Sequence, residues 1–540
     1  MLASPEDEPS IDDERPTTVA QLKSCFQKSG IDVDSPCTAT SASDSTSHVG
    51  QCWVVRSLDV WNRFLHANGI ELLEDLPNRL KVQTFVSYPL RDKDYHAVSA
   101  FLVSRLLNDH SCVHSVELNH VSTLFGRETQ AFDNVATNQG IQKITLADEG
   151  KLQRKSKLKA HKLISALVGG NLRSIRFDSM YLFNIPRKAL CDALANSFRL
   201  VELFLCDNGL TADGTIDILS ALMASTTLTC LSLDNNNVAS RVELETVLAH
   251  LVAVRQLSHV VQFHPTLRRL SVKNVRPHAI GDMAQLFTAL ICNTTLQELE
   301  ARGLQSVNEI ECLASLIART SSIRLLTLDV CPSCTDYLVI VMRGLSQNNS
   351  IWRFDCSIKK LTVPLSEEIA YMLTKNSTLS HLLLNDALAG ENCLMTLANA
   401  MDLNRSLQQL GVTYPTVSFA GICIRGCLRR NASVMARAVD FAVRKAADKK
   451  SAQAFELHQK NEHFIQKLTL VAGTGPQAES LIADANRHIR HNFFALAEIV
   501  KEGLVCLDFP DSECATGINQ LNQYCLLEIV SYLKISDVKD

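Results

Sequence analysis

Cys331 and Cys334 form the C-x-x-C stretch "CPSC", the spacing with which two thiolates can open a tetrahedral zinc site or act as a redox pair. Zinc in a structural site needs four ligands, and no second C-x-x-C or H-x3–5-H pair stands at a suitable distance. A redox pair needs a thioredoxin-like context that this stretch lacks. The expectation is no metal and no cofactor. The 18 cysteines are scattered through the chain, a pattern that favours reduced, mostly buried thiols, with Cys356 as a small hydrophobe on a strand.

Asn293, Asn348, Asn376, Asn404 and Asn431 each begin an N-x-S/T sequence, the acceptor pattern for N-glycosylation. The N-terminus "MLASPEDEPSIDDERP" is acidic rather than basic-then-apolar, so no secretory route is expected. All five stand three residues before a recurring apolar position, which predicts residues ending helices in the left-handed conformation. "KLQRKSKLKAHK" groups Lys151, Arg154, Lys155, Lys157, Lys159 and Lys162, read as a solvated helix face with a targeting role as the alternative. No G-x-x-x-x-G-K-[ST], G-x-S-x-G or H-E-x-x-H occurs, and "AGTGPQ" at residues 472–477 reads as an interhelical turn. The chain is therefore expected not to be an enzyme.

The elements that would position side chains come from a repeat. The pattern L-x-x-L-x-L starts at Val113, Ile141, Leu172, Leu200, Leu228, Leu267, Leu296, Ile323, Ile351, Leu379 and Leu407. Most intervals are 28 residues; the longest, Leu228 to Leu267, is 39 and predicts a lengthened helix. "FVSYPL" from Phe85 is a loose twelfth candidate. In "LVELFL", alternation sends Leu200, Leu203 and Leu205 to one side and Glu202 and Phe204 to the other. Stretches such as "EIAYMLTKN" carry apolar residues three and four apart, so each unit reads as one strand and one helix.

"LVELFLCDNGL" and "LTCLSLDNNNV" resemble the leucine-rich repeats of ribonuclease inhibitor and of NOD-like receptors. The buried asparagine of such repeats is clear at Asn208 and Asn236 and replaced elsewhere, as at Met180 or Val275. The resemblance implies an α/β leucine-rich-repeat solenoid, a horseshoe of about 11–12 units. It also implies partner binding on the concave strand face, where outward positions line up. Those positions are Arg176, Glu202, Phe204, Arg269, Glu298, Glu300, Arg353, Asp355 and His381, with Trp352 flanking, and they include side-chain types enriched at binding hot spots.

Near the C-terminus, "LNQYCLLEIVSYLKISDV" is similar to the beginning of an F-box, with Leu521, Leu526, Glu528, Ile529, Tyr532, Leu533, Asp537 and Val538 at matching positions. Leu521, Cys525 and Ile529 also match an elongin-C-binding helix. Either resemblance implies docking to a Skp-type adaptor or elongin C through Leu521, Cys525, Leu526, Ile529, Tyr532 and Leu533. The chain ends about halfway through the F-box pattern, so a truncated F-box and a simple capping helix both remain open.

The expected organisation is a disordered acidic and Ser/Thr-rich segment over 1–50 with a short helix near Val19, then a helical cap over 51–84. Repeats follow over 85–440, a helical cap over 441–510 and the F-box-like helix over 518–540. A net charge of −4 gives no electrostatic footprint for nucleic acid, and no apolar run is long enough for a membrane. The function expected is a protein-interaction scaffold or recognition protein, cytoplasmic or nuclear, with a protein partner. The alternative is a substrate receptor of a cullin-RING ubiquitin ligase, and a ribonuclease inhibitor or a GTPase-activating protein for Ran is a third.

Overall fold

In the computed structural model the described residues are 16, 18–37, 52–66, 69–76, 78–84, 96–119, 121, 138–147, 171–179, 187–210, 212–234, 255–273, 282–304, 306–330, 336–413, 418–445, 448–500, 521 and 523–538. "CPSC", the basic stretch 151–162, Phe85, Met180, Asn236 and Val275 lie outside them. The chain divides into two compact units, Met1–Leu296 and Gln297–Asp540. Both are mixed α/β, with an open and mostly parallel sheet in an arrangement compatible with an α/β solenoid. Among the described residues no helix is long and apolar enough to cross a membrane.

The first unit starts with α1 (Val19–Lys28), α2 (Trp53–Arg56) and α3 (Leu58–His66). Thr18 and Gln21 form a capping box at the start of α1, which satisfies two amide groups that the first helical turn leaves open. Helix α1 is the short helix expected near Val19. The expected all-helical cap over 51–84 needs correction: its second half is a hairpin of β1 (Ile70–Leu76) and β2 (Arg79–Thr84). Asn78 makes the tight turn at φ 61°, a conformation asparagine accepts more readily than most residues. Leu80 and Val82 are fully buried. The additional strand before Val113 is thus β2, placed by a hairpin rather than by the 28-residue period.

After α4 (His96–Asp109), β2 continues in parallel register through β3 (Val113–Leu118), β4 (Lys143–Ala147), β5 (Ser174–Asp178), β6 (Glu202–Cys206), β7 (Cys230–Ser232) and β8 (Arg269–Lys273). Helices α5 (Arg187–Ala195), α6 (Ala212–Leu222) and α7 (Asp282–Leu290) lie between or after these strands. Of the long Leu228–Leu267 interval, residues 255–263 are helical and 235–254 lie outside the described set.

The second unit repeats the arrangement. Its strands β9 (Glu298–Leu304), β10 (Leu325–Val330), β11 (Arg353–Ser357), β12 (His381–Leu388) and β13 (Gln409–Thr413) alternate with α8 (Val307–Arg319), α9 (Leu338–Gln347), α10 (Val363–Lys375) and α11 (Glu391–Leu403). Inward positions Leu326, Leu328, Phe354, Cys356, Leu382 and Leu384 are at most 1% exposed, so the period-two reading holds in β10, β11 and β12, whereas β4 and β7 bury consecutive residues. Burial pushes the Cys356 thiol up to about 12, with the Asp329 carboxylate adding to the shift.

Asn348, Asn376 and Asn404 end helices, but not in the predicted conformation, and Asn431 lies inside the helix Phe419–Arg444 rather than at its end. Asn348, Asn376 and Asn404 have φ between −85° and −73° with extended ψ. Their job is done by the side chain. The Asn348 amide donates to the carbonyls of Ile317 and Thr320 in the preceding repeat at 2.7 and 3.2 Å, and its Oδ1 accepts from the amides of Ser350 and Ile351 at 2.9 and 2.7 Å. Asn376 and Asn404 repeat this pattern, and Asn293 makes the equivalent bond to Val261. Each asparagine joins one repeat to the last by filling backbone groups that would cost about 1–3 kcal/mol if buried unpaired. All are nearly inaccessible, with Asn431 fully buried, so none presents its amide to a glycosylating enzyme.

Beyond β13 the chain forms α12 (Phe419–Arg444), α13 (Lys449–His458), α14 (Glu462–Ala472), α15 (Gly475–Leu496) and α16 (Gln523–Ser531). Met435, Phe441, Phe455, Phe464, Leu468 and Phe493 fill their shared core. "AGTGPQ" is the turn between α14 and α15, with Gly473 at φ 92° closing one helix and Thr474 capping the next.

Candidate partner-binding face

Strand register sorts the expected binding residues into rows. In the first unit Arg176 stands opposite Phe204, which stands opposite Ser232 and then Ser271. The Arg176 guanidinium lies 5.3 Å from the centre of the Phe204 ring, and its Nε is 2.7 Å from the Asp178 carboxylate. Burial works against the charge on Arg176, but the Asp178 hydrogen bond together with the charges of Asp178, Cys206 and Asp234 outweighs it, so its pKa is raised. An exposed arginine held flat by an aromatic ring and a carboxylate has lost much of its rotamer freedom before any partner arrives. Glu202 accepts a hydrogen bond from Ser174 at 2.7 Å, and Arg269 is exposed at the start of β8. Beside them Ser232 and Ser271 donate to the buried Asp234 carboxylate at 2.8 and 2.9 Å. Serine on a strand gives no sequence signal for such a polar seam.

The second unit carries Glu298, Arg353 and His381 in one row and Glu300 and Asp355 in the next. Arg302 pairs with Glu300 at 2.7 Å and Arg353 with Asp355 at 2.8 Å. The expectation that Trp352 and His381 lie open for a partner needs correction. Helix α14 packs over them: Trp352 stacks on His463 with ring centres 5.0 Å apart, and His381 meets both rings edge-on at 5.3 and 4.8 Å. Asn461 donates to the Thr378 carbonyl at 3.3 Å, Lys467 to Gln408 at 3.0 Å, and Glu462 sits 3.7 Å from Arg324.

This contact also sets the imidazoles' charge. Burial lowers the His463 pKa to about 3, assisted by His381, Lys467 and His458. Burial with the nearby Lys467 lowers His458 to about 4, and burial with Arg353 and Lys467 lowers His381. The cover is therefore built from neutral rings. "FELHQKNEHFIQKL" held the needed His458, His463 and Lys467, but its helical period indicates only a packed helix.

The adaptor-docking residues of α16 divide. Leu526 is buried, together with Val530 and Ile535, in contact with the preceding helices. The Ile535 amide donates to the Glu456 carboxylate at 2.9 Å, so the segment is anchored to its own chain. Cys525, Ile529, Tyr532 and Leu533 are exposed, Tyr532 by 78%, and Leu521 is half-buried. Among the described residues one group of side chains has the makings of a metal site, Cys37, Cys52, His110 and Cys112 in the first unit. No family model and no curated protein matches this chain.

Proposed function

We propose that the chain is a leucine-rich-repeat solenoid acting as a protein-interaction scaffold, without catalytic activity, and that it holds its protein partner on the outward strand face of the first unit. The observation carrying this reading is the Arg176–Phe204–Asp178 arrangement, an arginine and an aromatic ring pre-set on an accessible sheet row. Residues of the same types in the second unit, Trp352 and His381, already have an intramolecular partner in α14. Arg269 and Glu202 extend the first surface, giving it mixed charge suited to a polar protein surface rather than to a polyanion. Affinity capture tests this. An Arg176→Ala, Phe204→Ala chain that stays folded should lose proteins retained by the parent, and retention of them all would sink the proposal.

A second reading, substrate receptor of a cullin-RING ligase, draws on the exposure of Ile529, Tyr532 and Leu533 on one short amphipathic segment. Direct titration with a purified Skp-type adaptor or elongin C decides it. Binding lost on Ile529→Asp would support the reading, and no binding by the parent chain would end it.

A further inference from the structure

Three distant segments of the first unit converge on one cluster of sulfur and nitrogen. Cys37 follows α1, Cys52 caps α2, and His110 and Cys112 flank the turn between α4 and β3. Their ligand atoms all lie within 4.8 Å of one another. Cys37 Sγ is 3.6 Å from Cys52 Sγ, and Cys52 Sγ is 3.5 Å from His110 Nδ1. A tetrahedral zinc ion, with bonds of about 2.3 Å to sulfur and about 2.0 Å to nitrogen, sets its ligands about 3.5–3.8 Å apart. A disulfide would need the sulfurs about 2 Å apart. The measured separations suit one central ion.

The surroundings hold this geometry. Cys52 and His110 are fully buried and Cys112 nearly so. Trp53 and Trp61 present their rings edge-on to His110 at 5.3 and 6.4 Å, and Trp53 Nε1 donates to the Pro36 carbonyl at 3.1 Å beside Cys37. Arg105 fastens the same segment through the Asp34 carboxylate at 2.6 Å. The His110–Cys112 turn is bound by Asn138 to the His110 carbonyl at 3.2 Å and by the Cys112 carbonyl to the Leu80 amide at 2.8 Å. Gly140 lies so close to Ser111 that a Cβ there would collide with its carbonyl.

The choice of residue at position 110 also fits. His264 stands at the same register, three residues before a strand position, and its Nε2 donates to the Leu222 carbonyl at 3.3 Å, as the repeat asparagines do. His110 turns Nδ1 to the sulfurs instead.

We propose that Cys37, Cys52, His110 and Cys112 ligate one structural zinc ion, which ties the segments around α1 and α2 to the α4–β3 turn. Three thiolates and one imidazole select zinc over oxygen-seeking cations, and four protein ligands leave no open position for catalysis. Loading releases the thiol protons to solvent and involves no oxidation or reduction.

Elemental analysis of the full chain, purified with reductant and without chelator, tests this. The expected result is one zinc per chain, with replacement by cobalt giving the sulfur-to-metal charge-transfer and tetrahedral ligand-field bands. Cys52→Ser and His110→Asn should lose the zinc, while the Cys331→Ser, Cys334→Ser chain keeps it. Because a ligand loss can unfold the unit, His110→Cys supplies the second arm: it should retain the metal, with the cobalt spectrum moving to that of four sulfurs. Zinc-free parent protein without cobalt–sulfur bands would overturn the assignment. So would a Cys37–Cys52 disulfide in the non-reduced peptide map, or a metal content unchanged by both ligand substitutions.

Discussion

The outward strand rows of the two units are built from the same kinds of side chain and are used differently. In the first, Arg176 rests on Phe204 and remains exposed. In the second, Trp352 and His381 lie against His463 of the chain's own α14. The difference teaches that a tryptophan, an arginine and a histidine on a sheet face identify a surface good at binding without saying what binds there. The chain's own helices are one candidate partner, and they arrive at high effective concentration.

The comparison can be broken most forcefully by removing the cover. Phe455 is fully buried among Phe441 and Phe464, so Phe455→Ala should cost about 3–5 kcal/mol in the helical region, read by denaturant unfolding of the full chain. Asn348→Ala should follow at about 2–4 kcal/mol, because two carbonyls and two amides lose their partner at once. Asn171, half-exposed and bonded to Gln139, should cost under about 1 kcal/mol when replaced by alanine. Asn171 also bonds to neighbouring units, so equal losses would mean that burial does not set what these asparagine bonds contribute.

Trp352→Ala and Phe204→Ala sharpen the contrast. The first should destabilise α14 by about 2–3 kcal/mol, since the half-buried ring loses its stack on His463. The second should leave stability within about 1 kcal/mol and weaken partner capture. Identical stability effects would erase the distinction between the faces.

pH probes the same cover. His463 and His458 titrate near 3 and 4 in the folded chain, whereas in the unfolded chain they take up protons near 6.5. Stability is therefore intact above about pH 6.5 and falls as the pH drops toward 4, because the unfolded state binds protons first. Lys467, charged beside both rings, opposes protonation, as Arg353 does beside His381; Glu462 and Asp355 are the acidic groups on the same faces. Amide exchange in α14 should accelerate over that range while β5 and β6 stay protected. Uniform acceleration would contradict the neutral-ring cover.

Much of the strand–helix array was legible because its signal is local and repeated: Leu203 and Leu205 point inward as alternation requires, and the 28-residue step recurs. The asparagine positions were legible too, but not their conformation, since a bond to the preceding repeat leaves no trace in a short window. The hairpin at β1–β2 broke the period because a tight turn at Asn78, rather than a helix, sets β2. Least legible were the groups assembled from distant segments. Cys37, Cys52, His110 and Cys112 share no motif spacing, unlike the contiguous "CPSC". His463 reaches Trp352 across more than three repeats of sequence.

Under the proposed function the first unit's outward face takes a partner, whereas Trp352 and His381 of the second are covered by α14. Site-specific photo-crosslinking tests it directly, with a photoreactive phenylalanine analogue placed at Phe204 in one chain and at Trp352 in another, each irradiated with cellular protein. The expected result is higher-mass protein adducts from position 204, and from position 352 mainly an internal crosslink to the peptide containing His463. Adducts from 352 as abundant as those from 204, or none from 204, would contradict it.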